Sequence, residues 1–183
     1  QRMILGSIED EASLLTAMSG VDYVFHLAAI ADIASCNQNP MAAIESNILG
    51  SARVFESCYK SKVQKIIFAS SIYVYSDSGG FYRATKQASE TLLREYAKKF
   101  DQRYSILRYG SLYGPRSPDW NGLKKYIQTI LENEAIIYQG TGEEKREYIH
   151  IADAALMTVD AIDCKYDGQC LLLTGQESLS SRD

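Results

Sequence analysis

VDYVFHLAA (21–29), PMAAIESNILGSARVFESCYKS (40–61) and VQKIIFAS (63–70) follow one another along the chain and decide its fold. The first and third are short, nearly continuous apolar runs rich in β-branched and aromatic side chains, the pattern of strands buried on both faces. The middle segment carries apolar residues at helical spacing and opens on Asn39-Pro40, a capping side chain followed by a first-turn proline. Strand, helix, strand is a βαβ unit. The alternation continues through a helix at 82–100 and a third strand, YSILRYG (104–110), so the chain predicts an α/β fold with a Rossmann-type, doubly wound parallel sheet. Past residue 114 the texture changes: GPRSPDWNG (114–122) is loop chemistry, LKKYIQTILENE (123–134) a short helix, and IIYQGTGEEKREYIHI (136–151) two short strands around a turn. These patterns divide the chain into a sheet domain over 1–114 and a smaller α/β region over 115–183.

The totals narrow the function. A chain of 183 residues, 46% of them hydrophobic, is large enough to bury a core. The formal net charge is −4 with acids and bases interspersed, which leaves no basic stripe for nucleic acid or an anionic membrane surface. No apolar run approaches the roughly 18 residues of a membrane span, and QRMILGSIED (1–10) lacks the apolar core of a signal peptide. A soluble, cytoplasmic protein is expected. Cys36, Cys58, Cys164 and Cys170 form no C-x-x-C pair, so each is expected to be a buried small hydrophobe or a surface thiol, with no metal site.

In open α/β sheets ligands bind beyond the carboxyl ends of the strands. HLAAIA (26–31), SSIYVYS (70–76) and YGSLYGPR (109–116) fall there, and YRATK (82–86) follows the second of them closely after SDSGG (76–80). Tyr82 and Lys86 share one helix face at i and i+4. A neighbouring ammonium favours a phenolate and lowers the tyrosine pKa, and Ser71 can hold an alcohol against it. Together the three suit removal of a hydroxyl proton while a hydride leaves for a nicotinamide. Ser70 and Ser71 can equally serve as strand-end hydroxyls for the backbone, and Arg146 as a solvated charge within EEKRE (143–147).

VDYVFHLAA, SNILGSARVFES (46–57), QKIIFASSIYVYS (64–76), YRATKQASE (82–90), LRYGSLYGPR (107–116) and REYIHIADAA (146–155) stand in the order and character of one family. The chain resembles the extended short-chain dehydrogenase/reductases, in their NAD-dependent epimerase/dehydratase branch typified by UDP-glucose 4-epimerase. The resemblance implies Ser71 as the catalytic hydroxyl, Tyr82 as the acid/base and Lys86 as the group that tunes it and binds the nicotinamide ribose. It implies Leu27, Ala28, Ala29, Ser70 and Tyr82 itself as cofactor contacts, with Ile8 beside the adenine, Asn47 at the cofactor near the active-site tyrosine, and Tyr109 at the nicotinamide end. In the second region it implies Ser111, Asn121, Leu123, Tyr138, Arg146 and Tyr148 as contacts to a nucleotide-sugar. For Arg146 there is an independent reason, since a guanidinium suits bidentate contact with a diphosphate. His26 and His150 are left out of the site. The implied cofactor is NAD, with NADP left open, and the implied assembly is a homodimer through the helices at 40–61 and 82–100.

The departures from the family pattern are equally specific. There is no G-x-x-G-x-x-G loop and no opening βαβ unit, GSIED (6–10) carries Ser7 where an aspartate usually meets adenine, and SLSSRD (178–183) ends short of the family's last helices. The chain is therefore expected to be a piece of a longer protein or an incomplete record. The loop between Ser71 and Tyr82 is short, Ser111 replaces an asparagine, and Ala31 replaces a lysine. The family's 4,6-dehydratases carry Asp-Glu directly after the catalytic hydroxyl, where this chain has Ile72 and Tyr73. Inversion at C4 of a nucleotide-sugar through a keto intermediate is thus the expected activity, with a nucleotide-sugar reductase or dehydratase, and a non-catalytic NAD(P)-binding regulator, as alternatives.

Overall fold

The computed structural model of the chain describes residues 3–132, 140–180 and 182. They form two compact units, residues 1–108 with 160–171, and residues 109–159 with 172–183.

The first unit begins with α1 (Glu11–Ala17), whose cap is Asp10 accepting from Ala12 N–H at 3.1 Å. The edge strand β1 (Tyr23–His26) and the short helix α2 (Ile33–Gln38) follow. A long helical segment then starts at Pro40, where Asn39 accepts from Ala42 N–H at 3.2 Å and the proline's missing donor costs nothing. It runs as α3 (Pro40–Ala43), widens to π geometry over Ile44–Gly50, and continues as α4 (Ser51–Lys60). Next come β2 (Lys65–Ser71), a 3₁₀ turn (Ile72–Tyr75) and α5 (Gly80–Phe100).

In the main sheet β2 lies between β1 and β3 (Arg103–Tyr109), and β7 (Gln169–Leu173) follows β3. β1 and β2 run parallel with His26 opposite Phe68. Alternation along β2 and β3 separates two buried faces. Ile66, Phe68 and Ile106 pack against Leu14 of α1 and Met18 just after it, Val54, Phe55 and Cys58 of α4, and Leu93 of α5. On the opposite face Lys65 is 0% exposed, although it stands in an otherwise apolar run. Its ammonium donates to Asp163 O at 2.9 Å and pairs with Asp167 at 2.7 Å, so burial is compensated by hydrogen bonds and a countercharge. Ser105, on the same face of β3, donates to Tyr166 O at 2.7 Å.

One expectation needs correction. β2 is buried on both faces, but β1 is not: Tyr23 and Phe25 are each 37% exposed, because β1 is the edge of this sheet and one of its faces lacks a covering helix among the described residues.

His26, at the end of β1, is buried with its Nε2 2.9 Å from Ser51 Oγ and its ring beside Phe55 and Phe68. Burial, aided by the Lys86 charge, holds its pKa down to about 3. An unfolded histidine titrates near 6.5. Above that pH the ring is neutral in both states and the linkage vanishes; between 6.5 and about 3 only the unfolded chain takes up the proton. Stability is therefore expected to fall with acidification across that window by up to about 1.4 kcal/mol per pH unit. Urea unfolding of wild type and His26→Gln between neutral and acid pH checks this, the variant having the flatter profile.

The second unit holds β4 (Ser111–Tyr113) beside β6 (Tyr148–His150) in a parallel pair, and β5 (Lys145–Arg146) beside β8 (Leu179–Ser180) in an antiparallel one. Its helices are α6 (Gly122–Leu131) and α7 (Ile151–Asp160). The tyrosine expected at 138 lies outside the described residues. Among those residues no helix is long and apolar enough to cross a membrane, and no group of three His, Cys, Asp or Glu side chains is placed to hold a metal.

Candidate active site

The end of β2 and the first turns of α5 are joined by a short connection that two glycines make possible. Gly79 and Gly80 have φ of 99° and 49°, in the left-handed region where a side chain is strained. At Gly80 a Cβ would also lie 2.3 Å from Asn37 Oδ1, the atom that accepts from Phe81 N–H at 3.0 Å. The SDSGG stretch thus brings α5 onto the strand end with Asn37 of α2 over its first turn.

Three side chains come together there. Ser71 ends β2, is buried, and accepts from Tyr73 N–H at 3.3 Å. Tyr82 is buried in a cluster with Cys36 and Ala43, its ring edge-on to Tyr73 at 6.4 Å. Lys86 lies one turn on, only 4% exposed. Its ammonium donates to Ala69 O at 2.8 Å and sits 5.1 Å from the Phe68 ring and 5.9 Å from the Tyr82 ring.

The electrostatics differ from the sequence expectation. Burial raises the Tyr82 phenol above its ordinary range, and the hydrogen bond with Ser71 pulls the other way. The Lys86 ammonium, itself desolvated down to about 8 and directed at the Ala69 carbonyl, does not bring the phenol below its ordinary range.

The residues expected around a cofactor are placed as follows. Leu27 is 59% exposed just past β1, with Ala28 also exposed and Ala29 half-buried. Asn47 projects from the π segment, and its amide is engaged by protein: Oδ1 accepts from Ile30 N–H at 2.8 Å, and Nδ2 donates to Ile30 O at 3.0 Å and Thr85 Oγ1 at 3.1 Å. It latches the loop after β1 to α5. Ser70 is turned to Glu90, donating to Oε1 at 2.6 Å. Ile8 packs on Gly50 at the edge of the core. The donor set fits a ribose-binding role in one respect: among the described residues the buried Lys86 ammonium makes a single hydrogen bond, leaving two of its three donors for a ligand hydroxyl.

In the second unit, Asn121 caps α6, accepting from Lys124 N–H at 3.0 Å and donating to Leu112 O at 3.1 Å. Asn121 and Leu123 line a cavity of about 330 Å³ with Tyr113, Arg116, Ser117 and Lys124. Ser111 and Tyr148 are register partners across β4 and β6. Arg146 donates to Lys145 O at 3.0 Å from β5, and Tyr109 hydrogen-bonds Thr158 at 2.5 Å.

Sequence reasoning missed Cys36, Tyr73 and Glu90 on the first unit, and the two cations Arg116 and Lys124 at the cavity. Only Glu90 carried a signal, its i+4 spacing from Lys86.

Comparison with known proteins gives this geometry a context. The model of the NAD dependent epimerase/dehydratase family matches residues 1–169. A UDP-N-acetyl-alpha-D-glucosaminuronate decarboxylase of Bacillus cytotoxicus is 29% identical over 97% of this chain and 61% of its own length. A UDP-N-acetylglucosamine 4,6-dehydratase (inverting) of Campylobacter jejuni is 34% identical over 69% of this chain and 38% of its own. The crystal structure of UDP-glucuronic acid 4-epimerase from Bacillus cereus, in complex with UDP-glucuronic acid and NAD, superposes with a TM-score of 0.87 at 28% identity, over 95% of this chain and 61% of that one. The chain thus spans at most about three fifths of the proteins it is compared with.

Proposed function

The chain belongs to the NAD-dependent epimerase/dehydratase family, and on that premise we propose that it carries the alcohol-oxidising centre of a nucleotide-sugar epimerase that inverts C4 through a transient ketone. The observation that supports this most is the meeting of Ser71, Tyr82 and Lys86 at the end of β2, all buried. Bound NAD would supply the reversible acceptor for the hydride of the sugar carbinol. Lys86, with its two unused donors, and the exposed Leu27 and Ala28 beyond β1 would hold it.

The chain's own residues do the proton work. The Ser71 hydroxyl fixes the sugar hydroxyl against Tyr82; in its phenolate form, which burial makes scarce in the cofactor-free chain, Tyr82 takes that proton as the carbon becomes planar and later returns it. The Lys86 ammonium, close to the Tyr82 ring, opposes the negative charge that gathers there. A planar keto carbon has no configuration, so a sugar that turns over before reduction emerges inverted.

Oxidation at C4 is also a chemically sensible opening for elimination of water or loss of a carboxylate elsewhere on the ring, since a ketone acidifies the neighbouring carbon. Elimination needs an additional acid and base. Ile72 and Tyr73 supply no carboxylate directly after Ser71, and for that reason we place epimerisation ahead of dehydration.

The deciding experiment incubates the complete protein as purified, without added reductant, with UDP-, GDP- and dTDP-sugars. C4 inversion is followed by NMR and reduced nicotinamide by absorbance. Inversion without net cofactor change is expected; net oxidation or reduction would reassign the protein as a dehydrogenase or reductase. Silence across the panel would return it to the cofactor-binding regulators.

A further inference from the structure

Tyr82, Lys86 and Glu90 stand one turn apart on α5, and each meets the end of β2: Tyr82 at Ser71, Lys86 at Ala69, Glu90 at Ser70. Glu90 reaches further than the other two. Its Oε1 accepts from Ser70 at 2.6 Å and Arg108 Nε at 2.9 Å, and its Oε2 from Arg108 at 2.6 Å and Arg94 at 3.0 Å. Both carboxylate oxygens are taken, and Arg108 on β3 is gripped in the two-point geometry that fixes a guanidinium plane. Burial acts to raise the Glu90 pKa, but the hydrogen bonds from Arg108 and Ser70 outweigh it and keep the carboxylate charged.

The nitrogen of Arg108 left over from that grip donates to the Tyr75 hydroxyl, and the guanidinium carbon lies 4.5 Å from the Tyr75 ring centroid. Tyr75 closes the 3₁₀ turn that begins directly after Ser71. Its side chain is 67% exposed, so burial does not hold it. The same turn carries Tyr73, half-buried and edge-on to Tyr82. α5 also holds the turn through carbonyls: Gln87 donates to Val74 O at 2.9 Å, and Arg83 to Ser76 O, just past the turn, at 2.5 Å.

We propose that Arg108, carried on Glu90, is a positioning residue for the candidate site: through Tyr75 it pins the Ile72–Tyr75 turn, so that Tyr73 keeps its place against Tyr82 and Ser71 keeps its direction. The role in turnover rests on the alcohol-oxidising reading of Ser71, Tyr82 and Lys86; the clamp on the turn does not.

Two variants of the complete protein test it. Tyr75→Ala removes an exposed side chain and leaves the core untouched; Arg108→Lys keeps the charge but loses the fork and the stacking plane. In each, kcat for the sugar found in the panel is expected to fall about tenfold with KM and NAD affinity unchanged, well inside the roughly hundredfold that a misplacement of about 1 Å can bring. Amide hydrogen exchange is expected to quicken at residues 72–79 and to stay unchanged in β2. Wild-type kcat together with wild-type exchange at 72–79 in Tyr75→Ala would overturn the proposal. If the wild-type protein turns over none of the sugars, the functional reading fails, and exchange at 72–79 alone then upholds or overturns the clamp. Should Arg108→Lys not fold, Tyr75→Ala decides.

Discussion

Tyr82→Phe is expected to lower turnover of the sugar by about 10²–10⁴-fold, the range that a positioned acid/base contributes, while leaving NAD bound and the fold intact. Only one oxygen is removed. The ring stays in its cluster with Cys36, Ala43 and Tyr73, so packing is conserved and no cavity forms. What disappears is the atom that exchanges the proton, together with its interaction with Ser71. The measurement is kcat and KM for the sugar, with NAD binding by calorimetry as the control. A variant that turns over at the wild-type rate would sink the proposed mechanism, whereas one that also loses NAD would show that the phenol holds cofactor rather than protons.

The convergence of Ser71, Tyr82 and Lys86 was legible because each element that carries it announces itself locally. An apolar run ends in two serines, a pair of glycines follows, and Tyr-x-x-x-Lys opens a helical pattern. β2 and the helix from Pro40 were readable for the same reason. Elements of few residues were not: α2, β4 and β7 are six, three and five residues long, too short for periodicity to separate from loop. Lys65 was invisible because its partners, Asp163 and Asp167, lie about a hundred positions away. The Glu90–Arg108–Tyr75 relay was hidden likewise, since its members stand on three elements and only the fold brings them together. The sign of the Tyr82 shift was misjudged because charge proximity is readable from i, i+4 spacing, whereas the depth of burial that outweighs it is not.

Lys86→Met is expected to separate function from stability. Turnover should fall at least as far as in a mild acid/base loss, about 10²-fold, because the charge beside the Tyr82 ring and the donors left for a ribose go together. The cofactor-free protein, in contrast, should become more stable. Desolvation holds Lys86 down to about 8 from 10.5, so at neutral pH the fold carries a charge that it would shed if it could. Each pH unit of that difference is worth about 1.4 kcal/mol; after allowing for the Ala69 carbonyl left without its donor, the gain is up to about 2 kcal/mol. The gain shrinks with alkali. Between about 8 and 10.5 the unfolded chain keeps the proton that the folded chain has lost, so wild-type stability rises through that window and the advantage of methionine shrinks. Denaturant unfolding of both proteins at neutral pH and near pH 10 checks this. A variant that is less stable than wild type at neutral pH would show that Lys86 is held by its contacts to Ala69 and Phe68 more than it is burdened by burial, and that its place in the fold is structural before it is chemical.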